Sequence, residues 1–304
     1  MNAVMETTMN LIDILITPLK YSFMVRGLSA AVLTGMVCAV VGVYVVVRGM
    51  AFFGDALAHS ILPGVAVGYL ITDGAREPLF WWGTGTAVLV SLAIGAVSKG
   101  ARIKQDTAIG VIFAGMFALG IAIISTVKSY TVDLTHFLFG DVLGVSGDQL
   151  ILIAVFSALI ILLVIAFYKE FLVLTFDPTL AATLRIPLRA FEYLQLVLIA
   201  LTIAVSFQAV GVALMVAMLV TPAAAAYLLT KRLPVMMILA AIIASVSGVI
   251  GLYLSYYVNV ASGPAIVLVT TLFFLIAWSY AVIRKRLVLR KNGRVREIET
   301  GVSK

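Results

Sequence analysis

The sequence predicts an all-α, polytopic transmembrane helical bundle of about eight or nine spans with a cytoplasmic coupling helix. Three observations predict it. Of 304 residues, 63% are apolar and only 12% are charged, where soluble domains carry about 25% charged residues. The mean hydropathy is +1.16. The apolar residues also fall into runs of about 20, the length that crosses roughly 30 Å of hydrocarbon. A soluble domain of this size still needs a polar shell, and too few polar residues are present to build one. No soluble domain is appended, so residues 1–304 read as a single transmembrane domain.

Breaks at charges and at Gly/Pro clusters set candidate spans near 23–47, 51–72, 80–98, 107–127, 149–168, 192–207, 209–230, 234–257 and 264–283. Only Phe207 to Gly211 divides the sixth from the seventh, so one of them also reads as a half-helix or re-entrant piece. Residues 131–147 hold Asp133, His136 and Asp141, too polar for a span, together with Phe137, Leu138 and Phe139. That mixture reads as an interfacial or re-entrant element.

Cytoplasmic loops of membrane proteins collect Lys and Arg. Lys99, Arg102 and Lys104 mark one such loop, and Lys169, Arg185 and Arg189 a second, at about 169–191. Lys231 and Arg232 mark a third, and a basic tail occupies about 284–304. One alternating topology satisfies all four and places Arg48 inside. It puts residues 73–79, the Asp133 region, the Asn259 to Gly263 turn and the N-terminus outside. The first 20 residues contain Asp13, Pro18 and Lys20 without a basic start and clean apolar core, so the first span is expected to act as its own insertion signal.

The net charge of +7 is a by-product of this topology. Nucleic-acid binding needs cations clustered on one face, and here they lie between apolar runs. The one cysteine, Cys38, excludes an intrachain disulfide and a thiolate metal cluster, and reads as a packing residue. No G-x-x-x-x-G-K-[ST] phosphate cradle occurs, so nucleotide hydrolysis falls to a partner. No H-E-x-x-H arrangement of an intramembrane metalloprotease occurs either. The chain is read as having no catalytic residues and no permanently bound cofactor.

An ionisable side chain inside a span costs about 2.5–3.5 kcal/mol on insertion scales and asks for a functional reason. Asp55 and His59 lie four residues apart in the second candidate span, hence on one helical face. Carboxylate plus imidazole suits Mn²⁺, Zn²⁺ or Fe²⁺. Two ligands bind weakly, but a symmetric dimer supplies two of each. A hydrogen-bonded pair that only joins helices is the plainer alternative. Pro63 and Gly64 follow directly and are expected to loosen the helix and free carbonyls beside the pair. A second pair, Asp133 and His136, falls outside the membrane, as an entry or gate site, a contact for a delivery protein, or solvated loop residues.

Within the second cytoplasmic loop, Asp177 is placed to cap a helix opening at Pro178 and ending before Pro187. Leu180 and Leu184 share one face of it. Such a helix offers a grip to a cytosolic motor domain, or else lies on lipid headgroups.

Taken together, several stretches resemble the permease family of bacterial manganese/zinc/iron ABC importers. Phe53-Gly-Asp-Ala-Leu-Ala-His-Ser-Ile-Leu-Pro-Gly64 is similar to the family's G-D-A-x-x-H-x-x-x-P-G signature. In family order follow Asp106 to Phe113, Asp133 to Gly140, Phe176-Asp-Pro178, Gln208 to Gly211, Leu219 to Ala223 and Ser262-Gly-Pro264. The resemblance implies a homodimer in the bacterial plasma membrane and two cytosolic ATP-binding-cassette subunits docked at Asp177 to Ile186. It also implies an extracellular or periplasmic protein that delivers the metal. Asp55 and His59 would be the intramembrane ligands. Asp-Leu-Thr-His-Phe-Leu-Phe-Gly is closer to the manganese branch, and no histidine-rich loop of the zinc-handling kind occurs. Thr179 stands where the family usually has an acidic residue. The competing expectation is a proton-coupled secondary transporter, which would show paired broken helices in two inverted halves. Only Pro63 marks a clear break.

Overall fold

Hydrocarbon offers no water to peptide groups, so a crossing segment must satisfy its own backbone, and a helix does so. The computed structural model describes residues 16–72, 76–126, 142–176 and 187–301. Among these residues all regular structure is helical. In order the elements are α1 (Ser22–Val47), α2 (Phe53–Ser60), α3 (Leu62–Ile71), α4 (Arg76–Gly100) and α5 (Gln105–Ser125). After a 3-10 turn at Val142–Gly144 come α6 (Gly147–Ala166), α7 (Tyr168–Phe176), α8 (Leu188–Val210), α9 (Val212–Leu229), α10 (Leu233–Val258) and α11 (Ser262–Gly301).

With α2 and α3 counted as one broken span, nine helices among the described residues are long and apolar enough to cross a membrane. That is the higher of the two expected counts. The sixth and seventh spans have 23 and 18 residues, so neither is a half-helix. A single residue joins them: Gly211 sits at φ 78 and ψ 169, a region that only glycine populates freely. A fixed-length reading of apolar runs cannot see a turn that short. Two further boundaries differ from expectation. The front of the 169–191 loop is helical as α7, with Phe171 and Leu174 buried. The basic tail continues α11 through Gly301 as one helix of 40 residues, about 60 Å long. Lys and Arg are good helix formers, so charge ends the span without ending the helix.

The first helix is the hub. It packs on α9 and α10 along one side and on α6 and α8 along the other. Next to α8 lies α4, which carries α2, α3 and α5, while α11 covers α9 and α10 at the opposite end. Lipid gives helices no hydrophobic reason to associate, so close approach through small residues has to supply the contact. At Gly42 a Cβ would stand 1.7 Å from the Leu219 carbonyl oxygen of α9. Gly35 and Gly248 lie against Ala244 and Ala31, which sets α1 on α10. At Gly251 a Cβ would come within 2.5 Å of the Ile266 Cα of α11.

Polar side chains in the spans are mostly satisfied by their own helix. Thr34, Thr202 and Thr270 donate to the carbonyls four residues back, at 2.6–2.8 Å. Cys38 is buried and its Sγ lies 3.1 Å from Ser206 Oγ, which joins α1 to α8. Ser146 opens α6 with a capping box closed by Gln149.

Gly42→Ala is expected to destabilise the folded chain by about 1–3 kcal/mol, the usual cost of overpacking, seen as a lower midpoint in a detergent thermal melt. Gly110→Ala, with nothing within 4 Å of its added Cβ, is expected to leave the midpoint unchanged or raise it, since Ala favours helix over Gly by about 1 kcal/mol. An equal fall for both would show that helix approach at Gly42 is not the constraint.

Candidate functional site

The helix that carries the acidic and imidazole pair is short and almost wholly enclosed. Six of the eight residues of α2 are buried: Phe53, Gly54, Ala56, Leu57, Ala58 and Ser60. The other two are Asp55 and His59, whose side chains stay 41% and 25% exposed. Four-residue spacing brings Asp55 Oδ1 to 3.6 Å from His59 Nε2. That exceeds hydrogen-bond length, so the two groups do not satisfy each other directly. Both point to the one open side of the helix, as two hard or borderline donors arranged for a third atom.

Why the span breaks just after the pair follows from three residues. Ser60 Oγ donates to the Ala56 carbonyl at 2.7 Å, a back-bond that bends helices. Pro63 has no N–H to give to the His59 carbonyl four residues earlier, and its ring crowds that carbonyl. The chain therefore passes through Ile61 and restarts at Leu62. Gly64 then allows α3 to press on α4: a Cβ there would stand 1.8 Å from Thr86 Oγ1.

Two aromatic residues of α5 face the pair. The His59 ring lies 5.7 Å from Phe117, edge to face, and 6.3 Å from Phe113. Those two phenyl rings stack on one another, and Phe113 also meets Phe52. Sequence reasoning missed them, because Phe at an i, i+4 spacing in an apolar helix is indistinguishable from ordinary packing. Only the fold lays α5 across α2. Among the described residues no group of three or more His, Cys, Asp or Glu gathers to hold a metal. Asp55 and His59 therefore stand as a pair, with no third such side chain beside them among the described residues. Asp133 and His136 lie outside the described residues, and so do Asp177, Pro178, Leu180 and Leu184.

At the end of the bundle that collects the cations, the helix termini are tied together. Arg48, the C-cap of α1, donates from Nη1 to Gln195 Oε1 at 2.6 Å. Burial lowers the pKa of this guanidinium from its ordinary value. Lys99 of α4 pairs with Glu192 of α8 and lies 5.3 Å from the Tyr193 ring centroid. Beside them an aromatic knot joins α6, α7 and α8. Phe191, near the start of α8, meets Phe167 at 5.4 Å and Phe171 of α7 at 6.3 Å. Phe171 in turn meets Tyr44 of α1 edge-on at 5.7 Å.

Comparison with known proteins agrees with this architecture. The family model described as ABC 3 transport family matches residues 20–281. The manganese transport system membrane protein MntC of Halalkalibacterium halodurans is 44% identical over 263 residues, which covers 86% of this chain and 89% of that protein. A probable iron transport system membrane protein of Haemophilus influenzae is 39% identical over 274 residues, 90% of this chain and 99% of its own length. Among solved structures, PsaBC from Streptococcus pneumoniae in complex with Fab superposes with a TM-score of 0.75 at 36% identity, covering 88% of this chain and 95% of that one. A match across nearly the whole helical bundle means that this chain belongs to the ABC 3 transport family, as a multi-pass, non-enzymatic permease subunit of the bacterial plasma membrane.

Proposed function

We propose that the chain is the permease of an ATP-driven importer of a divalent transition metal, manganese first and iron or zinc as alternatives, and that Asp55 and His59 are its intramembrane ligands. One observation carries the reading: in an otherwise buried helix at membrane depth, the two residues left open are a carboxylate and an imidazole. Ionisable groups in a span are costly and are retained for ion pathways. Oxygen and nitrogen donors without thiolate suit manganese, iron and zinc. Relatives named for manganese and iron transport support the same class of cargo.

A pair of ligands from one copy calls for a second copy. The outer side of α5 is open, with Val111, Leu119 and Ile121 exposed, and α5 adjoins the pair. A homodimer with α5 near its axis brings two Asp and two His around one ion. The ion is held by ligand exchange, and no bond of the cargo is made or broken in this chain. Two cytosolic ATP-binding-cassette subunits supply the energy, docked on the 177–186 segment through Asp177, Pro178, Leu180 and Leu184. The aromatic knot of Phe167, Phe171 and Phe191 makes a firm base for that contact. An extracellular metal-binding protein delivers the ion, and Asp133 and His136 are the entry residues on that side. Alternation between outward and inward states then moves the ion past the broken span at Pro63 and Gly64.

In proteoliposomes holding the permease with its ATPase, ATP-dependent Mn²⁺ uptake is expected to fall at least tenfold in Asp55→Ala and in His59→Ala. Both variants should still insert and dimerise. Normal uptake by either would remove that residue from the pathway. Uptake by the chain alone, driven by a proton gradient, would favour secondary transport instead. Deleting residues 179–184 is expected to abolish co-purification of the ATPase while the thermal midpoint of the membrane bundle holds. Undiminished co-purification would place the docking surface elsewhere.

A further inference from the structure

A groove of about 680 Å³ opens on the surface of the bundle. Its floor is α1 at Met36 and Val40, and its walls are α6 and α10, each packed on α1. Along α10 the lining runs from Pro234 to Val246, about 18 Å of helix. Half the hydrocarbon thickness is about 15 Å, so the groove spans one leaflet. Its end at Pro234 and Tyr168 lies beside Lys169, at the start of α7, and beside Lys231 and Arg232, just before α10, all three exposed. Glu170, half-buried, is the acidic neighbour in that stretch. The leaflet is therefore the cytoplasmic one, by the same charge rule that orients the chain.

We infer that this groove is a binding site for one anionic phospholipid, with an acyl chain along α10 and the phosphate at Lys169, Lys231 and Arg232. The lining is nearly all apolar side chains, with hydroxyls only at Ser245 and at Tyr168 by the mouth, which suits hydrocarbon. Its volume lies within the range of pockets that hold single ligands. Charge complementarity selects among lipids, since basic pockets between spans on the cytoplasmic side bind anionic headgroups. Tyr168 at the mouth is the aromatic residue expected at headgroup depth. A second copy of the chain fits less well, because three cations at one end would face their own symmetry mates.

The test is quenching by brominated lipid. The full chain has three tryptophans, Trp81, Trp82 and Trp278, which are replaced by Phe. A reporter is placed at Ile238, a groove residue that is 63% exposed, as Ile238→Trp, with Leu89→Trp on α4 as the reference. Each protein is reconstituted in phosphatidylcholine vesicles titrated with brominated phosphatidylglycerol or brominated phosphatidylcholine. At Ile238→Trp the phosphatidylglycerol is expected to quench at a lower mole fraction, by about fivefold per engaged cation. Lys169→Gln, Lys231→Gln and Arg232→Gln together should bring the ratio down to that of Leu89→Trp. Equal quenching by the two lipids, or a preference that survives loss of the cations, overturns the proposal. So does a reporter that neither lipid reaches, the result if a protein covers the groove. Ile242→Trp, also lining the groove and exposed, replaces Ile238→Trp if that variant does not fold.

Discussion

Everything in this bundle depends on how closely α9 can approach α1. The absence of a side chain at Gly42 lets the Leu219 carbonyl come to where a Cβ would be. In water a poorly fitted pair of helices would still be driven together by burial. Between lipid chains it would not, and only dense contact rewards association. Hence Ala30, Ala31, Gly35, Ala39 and Gly42 are buried along the hub helix, interleaved with Val37, Val41, Val43 and Val45. The same approach seats Gly54 of α2 against Leu219. The position of the acidic and imidazole pair is thus inherited from the packing of two other helices.

That inheritance explains why the pair can be open yet fixed. Its helix is wedged by buried Phe53, Leu57 and Ala58, so the backbone beneath Asp55 and His59 has little freedom. The break at Ile61 lets α3 lean on α4 independently of α2. A straight helix would tie the orientation of the pair to both neighbours. The two phenyl rings of α5 exclude water from one side of the imidazole, and a partly dry surrounding strengthens any charge held there.

At the basic end of the bundle the cations do two jobs. Some stay exposed on the surface, as Lys231 and Arg232 do. Others turn inward, where Gln195 accepts from Arg48 and Glu192 meets Lys99. These inward pairs clamp α1 and α4 to α8, close to the aromatic knot of Phe167, Phe171 and Phe191.

By itself the sequence determined the class of solvent, the helical architecture and the placing of one Asp/His pair within a span. Each of these rests on composition or on spacing within a single helix, which physics reads locally: hydrocarbon excludes charge, and 3.6 residues make a turn. The tertiary structure decided the rest. Gly211 turned an ambiguous sixth and seventh span into two full helices, because one residue at positive φ can do what a loop normally does. The fold also brought Phe113 and Phe117 to His59, and left α6 and α10 apart to form a groove. Those are contacts between residues distant in the chain, and apolar periodicity is the same for a residue facing lipid, a partner helix or a metal ligand.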